Sequence, residues 1–346
     1  MDLNVNDLIA QARSLIEGGV RDSRLLPNYP GLAVEVSRRR ITAVRVARDR
    51  KTGKNVLRGV QSRALADGAI VPSLTGVNVK DPEAVGVVIR EVLDALEANE
   101  HRISLLLPDH VARVSLLQFA TLPRSRKELA DLVQFRMAKS LPFKPEDTAL
   151  DLQVVAAAPG PGQEGPSTVL STFIKRSVLQ QYESLFTAAG YWPGLVGLST
   201  FELFNLFRGQ LEAESPAGKD VMLLNVTPSF ASTVIFSGGN LIFYRCKPHP
   251  ENSSEEERVV ALRREVYTSF AFYQEKLLGR GIGQVFLRVV GLPKEAVHTA
   301  VTTEVMCDGR WLDLREIVSL GEGVELSEQE AAWACPASGA AVGRRP

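Results

Sequence analysis

Gly31-Leu32-Ala33-Val34-Glu35-Val36-Ser37-Arg38-Arg39-Arg40-Ile41-Thr42-Ala43-Val44-Arg45-Val46 reads as two short strands around a polar turn, and the same figure returns at 221–236. The first copy predicts strands over 32–36 and 41–46. A second turn at Lys51-Thr52-Gly53-Lys54 leads to a third strand over 56–62. The second copy predicts strands over 221–226, 232–236 and 241–245, the last two joined around Gly238-Gly239. Each meander then runs into a helix and an apolar strand. In the first, Asp81-Pro82 supplies an N-cap and a proline at the first helical position, with a helix to about 99 and a strand over 103–107. In the second, a helix over 254–278 precedes a strand over 285–290 and a helix over 293–303. Repetition of one unit predicts a duplicated α/β architecture.

Between the copies lies further material. A strand over 111–119 is followed by Ser125 and Glu128, a capping-box pair that opens a helix to about 140, and Leu141-Pro142-Phe143 ends it. Strands over 150–157 and 168–175 flank Pro159-Gly160-Pro161-Gly162, and a helix capped at Ser177 is expected to run to 189. A strand over 194–198, a helix over 200–210 and a linker over 212–220 complete the first half. At the N-terminus, Leu3, Val5, Leu8, Ile9, Ala12, Leu15 and Ile16 form an amphipathic arm stopped by Gly18-Gly19. At the other end, Ala334, Ala337, Ala340 and Ala341 suggest a closing helix that Pro336 would keep short.

Composition narrows the function. The 346 residues carry 40 Lys+Arg and 40 Asp+Glu, a formal net charge of zero with both signs dispersed, which argues against nucleic acid and against anionic lipid as partners. Hydrophobic content of 45% with 23% charged residues is that of a globular chain, and the length suggests about two domains. Cys246, Cys307 and Cys335 stand apart with no C-x-x-C pair, so neither a disulfide framework nor a zinc knuckle is indicated, in keeping with a reducing compartment. Asp2, Asp7, Arg13 and Glu17 interrupt any signal-peptide core, and the apolar-rich stretch 195–207 is too short and too polar to span a bilayer.

Catalytic patterns are missing as well. No G-x-x-x-x-G-K-[ST], G-x-S-x-G or H-E-x-x-H occurs, and His101, His110, His249 and His298 lack metal-ligand spacing. Gly279-Arg280-Gly281-Ile282-Gly283 follows a helix and leads into a strand, the reverse of a dinucleotide fold, so it reads as a helix stop and turn. Arg38-Arg39-Arg40 reads as a solvated hairpin tip.

Leu106-Leu107-Pro108, Leu122-Pro123, Glu128-Leu129, Lys139-Ser140-Leu141-Pro142-Phe143 and Asp151 mark the inserted module. With the stretch 182–207, Arg263-Arg264-Glu265 and Phe272-Tyr273, they make the chain resemble the actin-like superfamily of the cell-division protein FtsA. It resembles more closely the PilM family of type IV pilus assembly, over roughly 31–345. The resemblance implies a duplicated actin-like (ribonuclease H-like) fold with a small α+β module inserted in the first half. The implied division is an arm over 1–30, the first actin-like subdomain over 31–107, an SHS2-like insert over 108–198, a return over 199–214, and a second actin-like domain over 215–346.

The resemblance also locates nucleotide loops, and here the sequence departs from the family pattern. Where the first phosphate loop should carry aspartate and glycine stand Glu35 and Ser37, with Arg38 following. Where the second should read Asp-Ile-Gly stands Asn225-Val226-Thr227, then Pro228. In the third, Gly291 alone remains of a glycine pair. A lost carboxylate weakens magnesium binding, and lost glycines block the approach of backbone N–H groups to phosphate. Glu35, Ser37, Arg38, Asn225, Thr227 and Gly291 are therefore read as vestigial nucleotide-loop residues. No cofactor and no enzymatic activity are the leading expectation, with ATP and magnesium as the alternative.

The function implied is a cytoplasmic scaffold of the pilus machinery, peripheral to the inner membrane, that binds the N-terminal tail of a membrane-anchored PilN-like partner. Other inner-membrane and motor components of the pilus are further candidate partners. Leu141, Pro142 and Phe143 are candidates for the tail-binding groove between the first subdomain and the insert. Two alternatives stand beside this reading: an ATP-gated actin-like switch, and a cytoplasmic secretion-system protein resembling GspL.

Overall fold

Every residue of β1 (Leu32–Val36) is buried, because helices cover both faces of its sheet. In this computed structural model the residues described are 30–49, 51–123, 125–156, 166–250 and 252–342. The expected N-terminal arm and the Pro159-Gly160-Pro161-Gly162 loop lie outside them. Antiparallel β2 (Arg40–Arg48) and β3 (Asn55–Ala64) complete the first meander. The carboxylate of Asp81 accepts from the Ala84 amide at 2.9 Å and opens α1 (Pro82–Asp94), which leads to β4 (Arg102–Leu107) parallel to β1.

The chain then leaves this sheet. β5 (Ala112–Phe119), α2 (Arg126–Met137), β6 (Thr148–Ala156) and β7 (Ser167–Lys175) build a separate three-stranded sheet of order β5-β7-β6, with α2 packed on it through Leu129, Val133 and Met137. α3 (Arg176–Ala188), β8 (Trp192–Leu198) and α4 (Ser199–Ala213) follow. β9 (Asp220–Val226), β10 (Phe230–Ser237) and β11 (Asn240–Pro248) form the second meander. Ser254 and Glu257 make a full capping box for α5 (Glu255–Lys276), which is followed by β12 (Ile282–Val289), α6 (Lys294–Val305) and β13 (Gly309–Trp311). The short α7 (Leu314–Ile317), β14 (Ser319–Leu320) and α8 (Glu328–Val342) close the chain.

The two large sheets repeat one order. The first runs β14-β3-β2-β1-β4-β8 and the second β11-β10-β9-β12-β13, so in each an antiparallel meander is extended by two parallel strands. This is the duplicated α/β plan. Alternation along the central strands assigns the cores. Leu32, Val34 and Val36 face α1 and α3, whereas Ala33 faces a core shared with Val221, Leu223, α4 and α8. Met222, Leu224 and Val226 face α5 and α6. Helices α4 and α8 therefore lie between the halves and weld them.

Three local expectations are corrected. Ser177 is not a cap: β7 passes directly into α3 at Lys175, whose side chain makes no capping bond, so Ser177 falls inside the helix. β8 pairs with β4, so by sheet membership the chain rejoins the first sheet at Trp192, ahead of 199. The closing helix is not cut short by Pro336 but runs fifteen residues through it, and with β14 it packs back on the first half. Its alanines permit close approach, and at Gly339 a Cβ would stand 2.1 Å from the carbonyl oxygen of Glu202.

Candidate functional site

The β1–β2 and β9–β10 turns meet where the two sheets face each other, and Arg288 of β12 fills the meeting point. Its side chain is only 1% exposed. One guanidinium nitrogen donates to Asn225 Oδ1 at 2.8 Å, another faces Glu35 Oε2 at 3.5 Å, and Nε donates to the Ala332 carbonyl at 2.7 Å. That carbonyl is free because Pro336, four residues on, has no N–H to offer it. A buried guanidinium requires acceptors around its fork. Here a carboxylate, an amide oxygen and a proline-freed carbonyl supply them.

The network continues across the join. Ser199 donates to Glu35 Oε1 at 2.7 Å, and the Asn225 amide donates to Thr200 Oγ1 at 2.8 Å. The Thr200 amide donates to Asp109 Oδ1 at 3.0 Å, and Asp109 Oδ2 accepts from Ser232 at 2.6 Å and Tyr244 at 3.1 Å. Glu35, Asp109, Ser199 and Thr200 come from the first half, and Asn225, Ser232, Tyr244 and Arg288 from the second. Burial pushes the Glu35 carboxyl up, with Arg288 and Ser199 holding it back. Burial also raises Asp109, against the pull of its Ser232 and Thr200 hydrogen bonds.

Room for a ligand is correspondingly small. The void bounded by Glu35, Ser37, Arg38, Thr227, Pro228 and Arg288 measures about 20 Å³, space for roughly one water. Pro228 of the second loop also packs on Gly291 of the third, where a Cβ would lie 2.5 Å from its Cγ and φ is +64°. Gly291 is thus explained by its proline neighbour. A magnesium-bound triphosphate does not fit this arrangement: a cation already occupies the centre, and second and third loops touch.

The arginine turn is not uniformly solvated. Arg39 is exposed and pairs with Asp67 at 3.4 Å, Arg40 reaches Ser62 and lies over the Trp333 ring, and the Nε of Arg38 is buried. Arg38 also borders a second, much larger space. This groove of about 950 Å³ runs between the loop containing Val71 and Val77, the start of β5 at Arg113 and Val114, and β11 with His249. Leu141, Pro142 and Phe143 do not line it. Leu141 is buried in the insert's own core, with Phe143 packed partly against it, which is the ordinary fate of an apolar helix stop.

Sequence reasoning missed Arg288, although a lone arginine in the otherwise apolar run Val285-Phe286-Leu287-Arg288-Val289-Val290 was a visible signal. No family model matches the chain, and no curated protein matches it either. The structure is similar to a chain of the PilM-PilN type IV pilus biogenesis complex, with a TM-score of 0.74 and 16% identity, over 92% of this chain and 98% of that one.

The two chains share one fold.

Fainter likeness extends to a Bacteroides thetaiotaomicron protein described as having an actin-like ATPase fold and unknown function, with a TM-score of 0.49 and 11% identity over 87% and 96% of the chains. The cytoplasmic domain of EpsL, an inner membrane component of the type II secretion system of Vibrio cholerae, gives 0.44 and 10% over 88% and 93%. Among the described residues no helix is long and apolar enough to cross a membrane, and no cluster of side chains is suited to a metal ion.

Proposed function

We propose that this chain is a PilM-like scaffold of type IV pilus assembly, binding the N-terminal tail of a PilN-like membrane protein and held on the cytoplasmic side of the inner membrane through it. The fold shared with a chain of the PilM-PilN complex supports the family, and Arg288 carries the choice of scaffold over switch. For ATP to bind, Arg288 would have to abandon Glu35 and Asn225 and leave a carboxylate buried without its cation, an expensive change. Pro228 would also have to part from Gly291. Nucleotide gating requires different ligand affinities in two states, and a cleft filled by its own side chains offers little to differ.

The tail is assigned to the 950 Å³ groove rather than to Leu141, Pro142 and Phe143. The groove adjoins both the first half and the insert and offers exposed Val77 and half-buried Val71 for apolar contact. The experiment is direct binding of a labelled peptide matching the partner's N-terminal segment, with Val77→Asp and Arg113→Glu as surface variants. Saturable binding weakened at least about tenfold by both variants is expected. No binding, or binding indifferent to both, would remove this reading.

A further inference from the structure

Among the described residues, three buried nitrogen atoms around the groove have no hydrogen-bond partner: Nε of Arg38, Nδ1 of His110 and Nε2 of His249. Buried polar atoms are nearly always paired, so such orphans call for a cause. They come from three elements: the β1–β2 turn, the single turn after β4, and the residue after β11. His249 is 9% exposed, and its amide donates to the Ser229 carbonyl at 2.9 Å. The His110 ring lies 5.3 Å from the Phe230 ring. Ser229 and Phe230, at the start of β10, thus contact the His249 backbone and the His110 ring respectively.

Lys80, Arg113 and Lys247 also line the groove, and no carboxylate does. Arg245 is satisfied by Glu265 at 2.8 Å. Among the described residues no ion pair forms at Arg38, Lys80, Arg113 or Lys247. Several uncompensated cations favour a doubly charged ligand over a singly charged one. We propose that Arg38, His110 and His249 form the inner end of a binding site for a tetrahedral dianion, a phosphoryl group that is either free phosphate or part of a small molecule. Lys80, Arg113 and Lys247 draw the anion in. The site is separate from the filled cleft; it lies in the same groove as the proposed tail site but rests on the orphaned nitrogens and not on that reading.

Binding is coupled to protons. Burial, then Arg38 and His249, lower His110 to about 4. Burial, then Arg258, lower His249 to about 4, against a backbone hydrogen bond with Thr227 that raises it. Asp109 beside His110 turns its carboxylate inward to Ser232, Tyr244 and Thr200, and burial raises the Tyr244 hydroxyl and the Cys246 thiol, which stay neutral. Both histidines are therefore neutral at pH 7, and Nδ1 of His110 and Nε2 of His249 are without a hydrogen-bond partner. An entering anion favours a proton on each.

Sulfate is the cleanest probe, because it stays a dianion throughout the useful pH range. Calorimetric titration of the full chain should give saturable sulfate binding that tightens at least about tenfold from about pH 8 to about pH 5.5. Arg38→Gln should abolish it, and His249→Gln should leave weaker binding with a flatter pH dependence. In histidine NMR spectra the His110 and His249 ring signals should move with sulfate while those of His101 and His298 stay. Inorganic phosphate and pyrophosphate distinguish free phosphate from a phosphoryl-bearing molecule, according to which binds more tightly. Absence of saturable sulfate binding, acetate binding as tightly as sulfate, or binding untouched in a folded Arg38→Gln variant would overturn the proposal.

Discussion

Pro336 and Arg288 are complementary: the proline withholds an N–H from the Ala332 carbonyl, and the Nε of Arg288 donates to that oxygen at 2.7 Å. A residue that ordinarily breaks a helix here frees an acceptor for a buried cation. The same guanidinium faces Glu35 and Asn225, so the closing helix, the second sheet and the first sheet are tied at one point.

Removing one member of that point should be costly. Arg288→Met leaves Glu35 buried without its cation, and a loss of about 3–5 kcal/mol is expected from urea unfolding. Adding Glu35→Gln should recover a good part of it, because the stranded charge is then gone. A double variant no more stable than Arg288→Met alone would show that the pair does not couple.

Two helical glycines should respond in opposite directions. Gly339→Ala in α8 would place a methyl group against the backbone of Glu202 and should destabilise by about 1–3 kcal/mol. Gly209→Ala in α4 meets nothing within 4 Å and should stabilise by about 0.5–1 kcal/mol. Thermal unfolding of both variants reads the difference in sign.

Histidine burial sets an acid limit. His110 and His249 are each lowered from 6.5 to about 4, so the unfolded chain binds protons that the native chain refuses. Their stabilising contribution is complete above 6.5 and is lost as pH falls toward 4, at up to about 1.4 kcal/mol per pH unit for each. Glu35 and Asp109, both raised, act in the opposite sense: their contribution is complete at low pH and lost as pH rises. The difference between wild type and His249→Gln cancels the carboxylates and should show the acid loss for one histidine. An unchanged pH profile in His249→Gln would contradict this.

Much of the fold was legible because local signals agreed with the tertiary result. The strand over 32–36 is realised residue for residue, Asp81 caps α1, and the helix expected over 254–278 is found over Glu255–Lys276. The repeated meander pointed to two similar sheets before any pairing was known. What escaped was non-local. Nothing near Pro336 in sequence indicates that Arg288, 48 positions earlier, would use the carbonyl it frees, and nothing near α8 indicates that it packs on β1 and β2. The site was half legible. Glu35 and Thr227 border one void and Asn225 is tied to Glu35 through Arg288, whereas Leu141 and Phe143 pack in the insert's own core and Pro142 is exposed beside them. His110 and His249 lack metal-ligand spacing, and linear distance conceals that the turn after β4 and the end of β11 bring them to one groove.

The cleft between the halves is closed by its own side chains. Isothermal titration of the full chain with magnesium ATP, alongside Glu35→Ala, tests it most directly. No saturable binding with a Kd tighter than about 1 mM is expected in the wild-type chain. Saturable binding that disappears in a folded Glu35→Ala variant would contradict it, and would mean that Arg288 gives way to nucleotide.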